Sequence, residues 1–206
     1  MTEPLLRLSA PAAAMLEDAI DTDVIFPARF LLRMDKQGLG ECLFADRRLQ
    51  SEGTGAAFAL DRPDGKLVKI FFAGAQFGCG SSREHAVWAL VDFGIRAVIA
   101  PSFGEIFASN AARNGLAAIP LDREQVEALA VKSRAGDVTI DLFTKTIVTA
   151  DGTSIAFNLA ESDRQALING WDEIDMLHTA HAAQIERFEL AYRERVPWLF
   201  TGPAEF

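Results

Sequence analysis

Apolar positions in this chain come in short runs, and their spacing switches between the strand and helix periods. Lys66–Ala73 (KLVKIFFA) predicts a strand, and Gly74–Gly80 is a glycine-rich loop. Ser81–Gly94 carries Ala, Val, Trp, Leu and Phe around most of a helical circuit, which predicts a buried helix. Arg96–Ala100 (RAVIA) predicts a buried strand that Pro101 and Ser102 end. A helix follows over Phe103–Asn114 with Gly115 as its C-cap, then a strand over Leu116–Leu121 and a helix over Arg123–Lys132. Val138–Phe143, Thr146–Thr149 and Ser154–Phe157 predict short antiparallel strands around turns at Thr144-Lys145 and Asp151-Gly152. Ser162–Arg195 predicts a mostly helical tail broken near Asn169-Gly170. Upstream, Arg62-Pro63-Asp64-Gly65 is a turn signal, and Leu8–Leu16 reads as a first folded segment rather than a signal sequence.

Strand and helix alternate in the middle of the chain, which implies parallel pairing through crossovers. Strand-rich flanks imply added antiparallel or barrel-like strands. The expectation is one α/β domain over residues 1–206 with layered β and α structure and a helical C-terminal tail. Half the residues are hydrophobic, enough for a sizeable core. The formal net charge of −9 argues against a nucleic-acid partner, because phosphate contacts need a basic surface. No apolar run approaches membrane-spanning length. Two cysteines, Cys42 and Cys79, lack paired metal spacing and make no disulfide framework, which points to a reducing cytoplasm.

Candidate chemistry concentrates in Gly78-Cys79-Gly80-Ser81-Ser82-Arg83-Glu84-His85. Glycines let the backbone approach a ligand closely, and the loop leads into a helix N-terminus that favours an anion. Arg83 adds a planar fork suited to a carboxylate. A second reading stays open at this point. Ser81-x-x-Glu84 is also a capping box, which stabilises a helix by about 1 kcal/mol with no further role. Likewise Asp21-Thr22-Asp23 is a common turn or cap pattern. His178 and His181 are three apart on a predicted helix, but no third metal ligand is in view.

The segment Gln76–Ala86, followed by Trp88-Ala89-Leu90 and Gly94–Phe103, resembles the signature of the 3-isopropylmalate dehydratase small-subunit family. That family is similar to the swivelling C-terminal domain of aconitase. Asp21–Leu31 resembles the family's Asp-Thr-Asp-x-Ile-x-Pro element, and Asn169–Ile174 with Pro197-Trp198-Leu199 gives a looser third match. The resemblance implies a swivelling-type layered β/β/α domain. It implies a hydro-lyase that isomerises 2-isopropylmalate and 3-isopropylmalate in leucine synthesis, active only with a large subunit. It also implies no cofactor in this chain and a 4Fe–4S cluster in the large subunit. By the same resemblance Ser81 is the alkoxide base, and Asp23, Ser82 and Arg83 bind substrate. Phe30-Leu31-Leu32-Arg33 aligns with the loop that meets the variable substituent. Leu32 there favours an isopropyl group over an extra carboxylate. Rival readings are the same chemistry on homoaconitate, citraconate/methylmalate or dimethylmalate, a non-catalytic anion-binding module, and a hydrolase using Cys79 as nucleophile.

Overall fold

A computed structural model of the chain describes residues 2–33, 35–54, 58–61, 68–81 and 83–200. The turn expected at Arg62-Pro63-Asp64-Gly65 and the first residues of the strand expected from Lys66 lie outside the described residues.

Two four-stranded sheets form the frame. In the parallel sheet, β2 (Ala12–Met15), β3 (Ile70–Ala73), β4 (Ala97–Ala100) and β5 (Ala117–Pro120) lie side by side in that order. Their sequences, such as IFFA and AVIA, are apolar throughout because both faces of the sheet are covered. Side chains alternate between faces. Phe71, Ala73, Val98 and Ala100 face one core; Ile70, Phe72, Ala97 and Ile99 face the other.

The first face is covered by α1 (Thr22–Ile25), α3 (Glu84–Phe93) and α4 (Glu105–Arg113), while α2 (Ala45–Thr54) lies against α1. On the other face lie α5 (Arg123–Lys132) and an antiparallel sheet of β1 (Arg7–Ala10), β6 (Val138–Asp141), β7 (Thr146–Val148) and β8 (Ser154–Ala156). The result is the expected layering of helices, parallel sheet and antiparallel sheet. Helix α6 (Glu161–Asn169) ends at Gly170, whose φ of 67° closes it where the break was expected, and α7 (Glu173–Arg195) follows.

Three local findings differ from the pattern reading. The Leu8–Leu16 segment is split at Pro11, so that β1 joins one sheet and β2 the other. Helix α2 has a strongly polar sequence, ADRRLQSEGT, and gave no periodic signal. Helix α3 begins at Glu84, not Ser81, and its N-cap, Arg83, makes no side-chain cap bond. The capping box at Ser81 does not form, because the Glu84 carboxylate accepts from Asn114 Nδ2 at 2.8 Å instead.

Candidate active site

Loops leaving the carboxyl ends of β2, β3 and β4 meet at one end of the parallel sheet, where open α/β sheets place their ligands. The glycine-rich loop after β3 threads between the other two. On one side Gly78 N–H donates to Ile20 C=O at 2.8 Å, and Cys79 C=O accepts from Thr22 N–H at 3.0 Å. Across the loop, Phe77 N–H donates to Ser102 C=O at 3.0 Å and Phe77 C=O accepts from Gly104 N–H at 2.9 Å. Each strand of this braid is main chain, so its shape depends on close approach. Gly78 sits at φ 72°, and a Cβ there would lie 2.3 Å from the Phe107 ring. At Gly104 a Cβ would lie 2.4 Å from the Gly78 carbonyl oxygen. The base of the loop is tied by Asp18, which accepts from Ala75 N–H at 2.8 Å. The Arg123 guanidinium, with that amide, holds the Asp18 carboxyl below the usual carboxylate range.

The Asp21-Thr22-Asp23 element uses all three side chains. Asp21 accepts from Val24 N–H at 2.8 Å and so caps α1. Thr22 is buried, and its hydroxyl donates to Ser81 C=O at 3.0 Å. Asp23, in the first turn of α1, pairs with Arg83 at the start of α3. Ser81, Asp23 and Arg83 are therefore gathered at the junction of two helix N-termini. Ser81 is exposed, and its hydroxyl has no hydrogen-bond partner among the described residues. Asp23 engages one Arg83 nitrogen, leaving the guanidinium's remaining donors for an anion. Ser82 lies outside the described residues.

The expected specificity segment begins in a 3-10 turn, Ala28–Phe30. The Phe30 ring is 5.9 Å from Phe26, which stacks on His85 of α3 at 5.7 Å. Leu31 packs against the core. Leu32 stands away from it at 92% exposure, while Arg33 turns back over the Phe30 ring and toward Gly38 C=O. The segment thus presents Leu32 outward and Arg33 inward along its own backbone.

Pattern reading missed Asn114 and gave Thr22 and Glu84 only turn or capping roles. Thr22, Glu84 and Asn114 hold the site together through partners 30 to 59 positions distant, and no local signal marks such pairs. Cys42 is buried in the core and Cys79 is half-buried in the loop. Two thiols do not fit an iron–sulfur cluster, which takes several thiolates. Among the described residues, no group of three or more His, Cys, Asp or Glu could hold a metal ion. Nor is any described helix long and apolar enough to cross a membrane.

Residues 2–124 match the family model of the aconitase C-terminal domain. A 3-isopropylmalate dehydratase small subunit from Paramagnetospirillum magneticum is 41% identical over 201 residues, 96% of this chain and 100% of that protein. The chain belongs to the 3-isopropylmalate dehydratase small-subunit family. Another member, from Geobacillus kaustophilus, is 44% identical over 173 residues, 82% of this chain and 88% of its own length. The crystal structure of a 3-isopropylmalate dehydratase from Methanocaldococcus jannaschii superposes with a TM-score of 0.66 at 27% identity, covering 88% of this chain and 99% of that one. The β/β/α layering is therefore the layering of this small-subunit family and of the aconitase C-terminal domain.

Proposed function

We propose that this chain is the small subunit of a hydro-lyase interconverting 2-isopropylmalate and 3-isopropylmalate, a step of leucine synthesis in the cytoplasm. Residues 1–206 are read as one functional unit. The observation that carries the reading is the pairing of an exposed, unengaged Ser81 with the Asp23–Arg83 ion pair, in a chain whose relatives bear that name.

A serine hydroxyl is a weak base until its anion is stabilised. At this site the positive end of α3 and the Arg83 guanidinium both favour a negative oxygen. Ser81 is read as the group that removes the proton from the carbon next to a substrate carboxylate. Arg83 is read as the fork on that carboxylate, aligned by Asp23 and positioned where charge develops as the proton leaves. Ser82 is assigned to substrate binding on the same motif. Leu32 is assigned to the substituent, where an isopropyl group gains apolar contact and an extra carboxylate finds no partner. The cluster that the family implies is assigned to a separate large subunit. This chain's share of the reaction is binding, orientation and proton transfer.

The test is reconstitution. The chain alone should show no turnover of isopropylmalate, and mixing with an anaerobically prepared large subunit of the family should restore it. Turnover by the isolated chain would overturn the reading. So would a mixture that ignores isopropylmalate while converting another substituted malate.

A further inference from the structure

Asn114 follows α4, yet most of its side-chain bonds leave that helix. Its Nδ2 donates to Glu84 Oε1 at 2.8 Å and to Asn110 C=O at 2.9 Å. Its Oδ1 accepts from Trp88 Nε1 at 3.1 Å and from Lys36 Nζ at 3.4 Å. Two donors and two lone pairs are the whole inventory of a carboxamide, and all four are used. The orientation is fixed by chemistry, because an indole and an ammonium only donate while an ionised carboxylate only accepts. Bonding back to the helix's own carbonyl is common for asparagine and accounts for one bond alone.

The other three bonds reach the two parts of the site that must meet one substrate. Glu84 is the residue after Arg83 and opens α3. Lys36 belongs to the segment that follows Leu32 and Arg33, and its ammonium also lies 4.4 Å from the Trp88 ring centroid. Trp88 lies 4.7 Å from the His85 ring, His85 stacks on Phe26 at 5.7 Å, and Phe26 meets Phe30 at 5.9 Å. The specificity segment is therefore joined to α3 on both sides of Leu32, once through Phe30 and once through Lys36. The Lys36 route ends on Trp88, whose ring also neighbours the His85 that ends the Phe30 route, and Asn114 bonds Trp88 directly.

We infer that Asn114 is a positioning residue of this site: one carboxamide sets the Arg83-bearing turn of α3 in register with the Phe30–Arg33 segment. A carboxylate and its neighbouring substituent are then met at a fixed separation. Ser81 lies outside this bracket, because its carbonyl is anchored to Thr22. Loosening Asn114 should therefore weaken substrate binding while leaving proton transfer near its normal rate.

The inference rests on the hydro-lyase reading, and its test separates the two. Asn114→Ala, Glu84→Ala, Glu84→Gln and the Asn114→Ala/Glu84→Ala double variant are each reconstituted with the large subunit and assayed on isopropylmalate. Asn114→Ala should raise KM about tenfold and keep kcat within about threefold. Glu84→Ala should share that effect, while Glu84→Gln, which retains the acceptor, should stay within about twofold of wild type. The double variant should be no worse than Asn114→Ala alone, since that variant has already lost the Glu84 bond. A lowered melting temperature with KM unmoved, or fully additive losses, would overturn the inference. Amide exchange of the peptides spanning residues 31–44 and 80–90 is read in parallel, without substrate. Both peptides should exchange faster in Asn114→Ala and as wild type in Glu84→Gln. Failure of that pattern overturns the positioning role whatever the substrate. Its success beside a wild type inert toward isopropylmalate would overturn the substrate reading alone.

Discussion

Gly104→Ala tests whether the main-chain braid sets the catalytic geometry. Gly104 has φ −60° and ψ 134°, which alanine adopts freely, so the substitution introduces no backbone strain. Its only effect is contact. The new Cβ would lie 2.4 Å from the Gly78 carbonyl oxygen, 2.9 Å from its carbon and 3.1 Å from Cys79 Cα. Ordinary contact begins at 3.4 Å, so the Gly78 peptide must move by about 1 Å. It cannot swing freely, because Gly78 N–H and Cys79 C=O are both bonded to the Ile20–Thr22 segment. The shift is passed along to Ser81, three residues on. Overpacking of this kind costs about 1–3 kcal/mol, or about 2–12 °C in a domain of this size. A displacement of about 1 Å at a reacting group costs about a hundredfold in rate. The assay is kcat for isopropylmalate on the reconstituted enzyme, beside melting of the free chain. Gly136→Ala is the control. Its Cβ would lie 2.9 Å from Ala150 Cβ, in the turns beside the antiparallel sheet, and it should lower melting with kcat retained. If Gly104→Ala melts as expected but turns over at the wild-type rate, the braid does not set the position of the serine.

Ser81→Ala should leave the melting temperature within about 1 °C, since the hydroxyl caps no helix, yet lower kcat by about a hundredfold or more with KM little changed. A variant that loses stability and keeps its rate would return Ser81 to a structural role. Leu32→Arg, at a position 92% exposed, should cost no measurable stability and should narrow or reverse the preference for isopropylmalate over homoaconitate in kcat/KM; an unchanged ratio would remove Leu32 from substrate selection. Glu161 is held at about 2 by the Arg164 guanidinium first and the Gln165 amide second, below its ordinary 4.5. A depressed carboxylate contributes stability above its unfolded pKa and loses it as pH falls through the folded one. The difference in melting temperature between wild type and Glu161→Gln should therefore be constant above about pH 5 and shrink toward pH 2; a pH-independent difference would contradict the assignment.

The alternating core of the fold was legible because its signals are local. From β3 to α5 each element has its own period and its own punctuation, with Pro101, Gly115 and Asp122 at boundaries. The place of β1 was not legible, since Leu8 pairs with Ile140 and nothing near Pro11 states that the chain changes sheets there. Helix α2 escaped because its single large apolar residue, Leu49, is exposed, so no buried stripe exists to be read. At the site, the serine loop and Asp21-Thr22-Asp23 stood out by composition. Their mutual contact, through Thr22 to Ser81 and Asp23 to Arg83, joins positions about sixty apart and emerges only in three dimensions. Ser81-x-x-Glu84 had the letters of a capping box, but Asn114 claims the glutamate from thirty residues away.

The braid of main-chain bonds around Gly78 also divides labour between two kinds of atom. The path of the loop around Gly78 is written in amides, carbonyls and the close approach that two glycines allow. Among the described residues, the side chains of Cys79 and Ser81 add no hydrogen bond to that path. A saturation scan of Gly78, Cys79, Ser81 and Gly104 should accordingly show two glycines that accept nothing, and a cysteine and a serine between them that tolerate many residues for folding. At those two positions, chemistry can be rewritten without redrawing the chain, which makes this loop a template on which selection alters reactivity one side chain at a time.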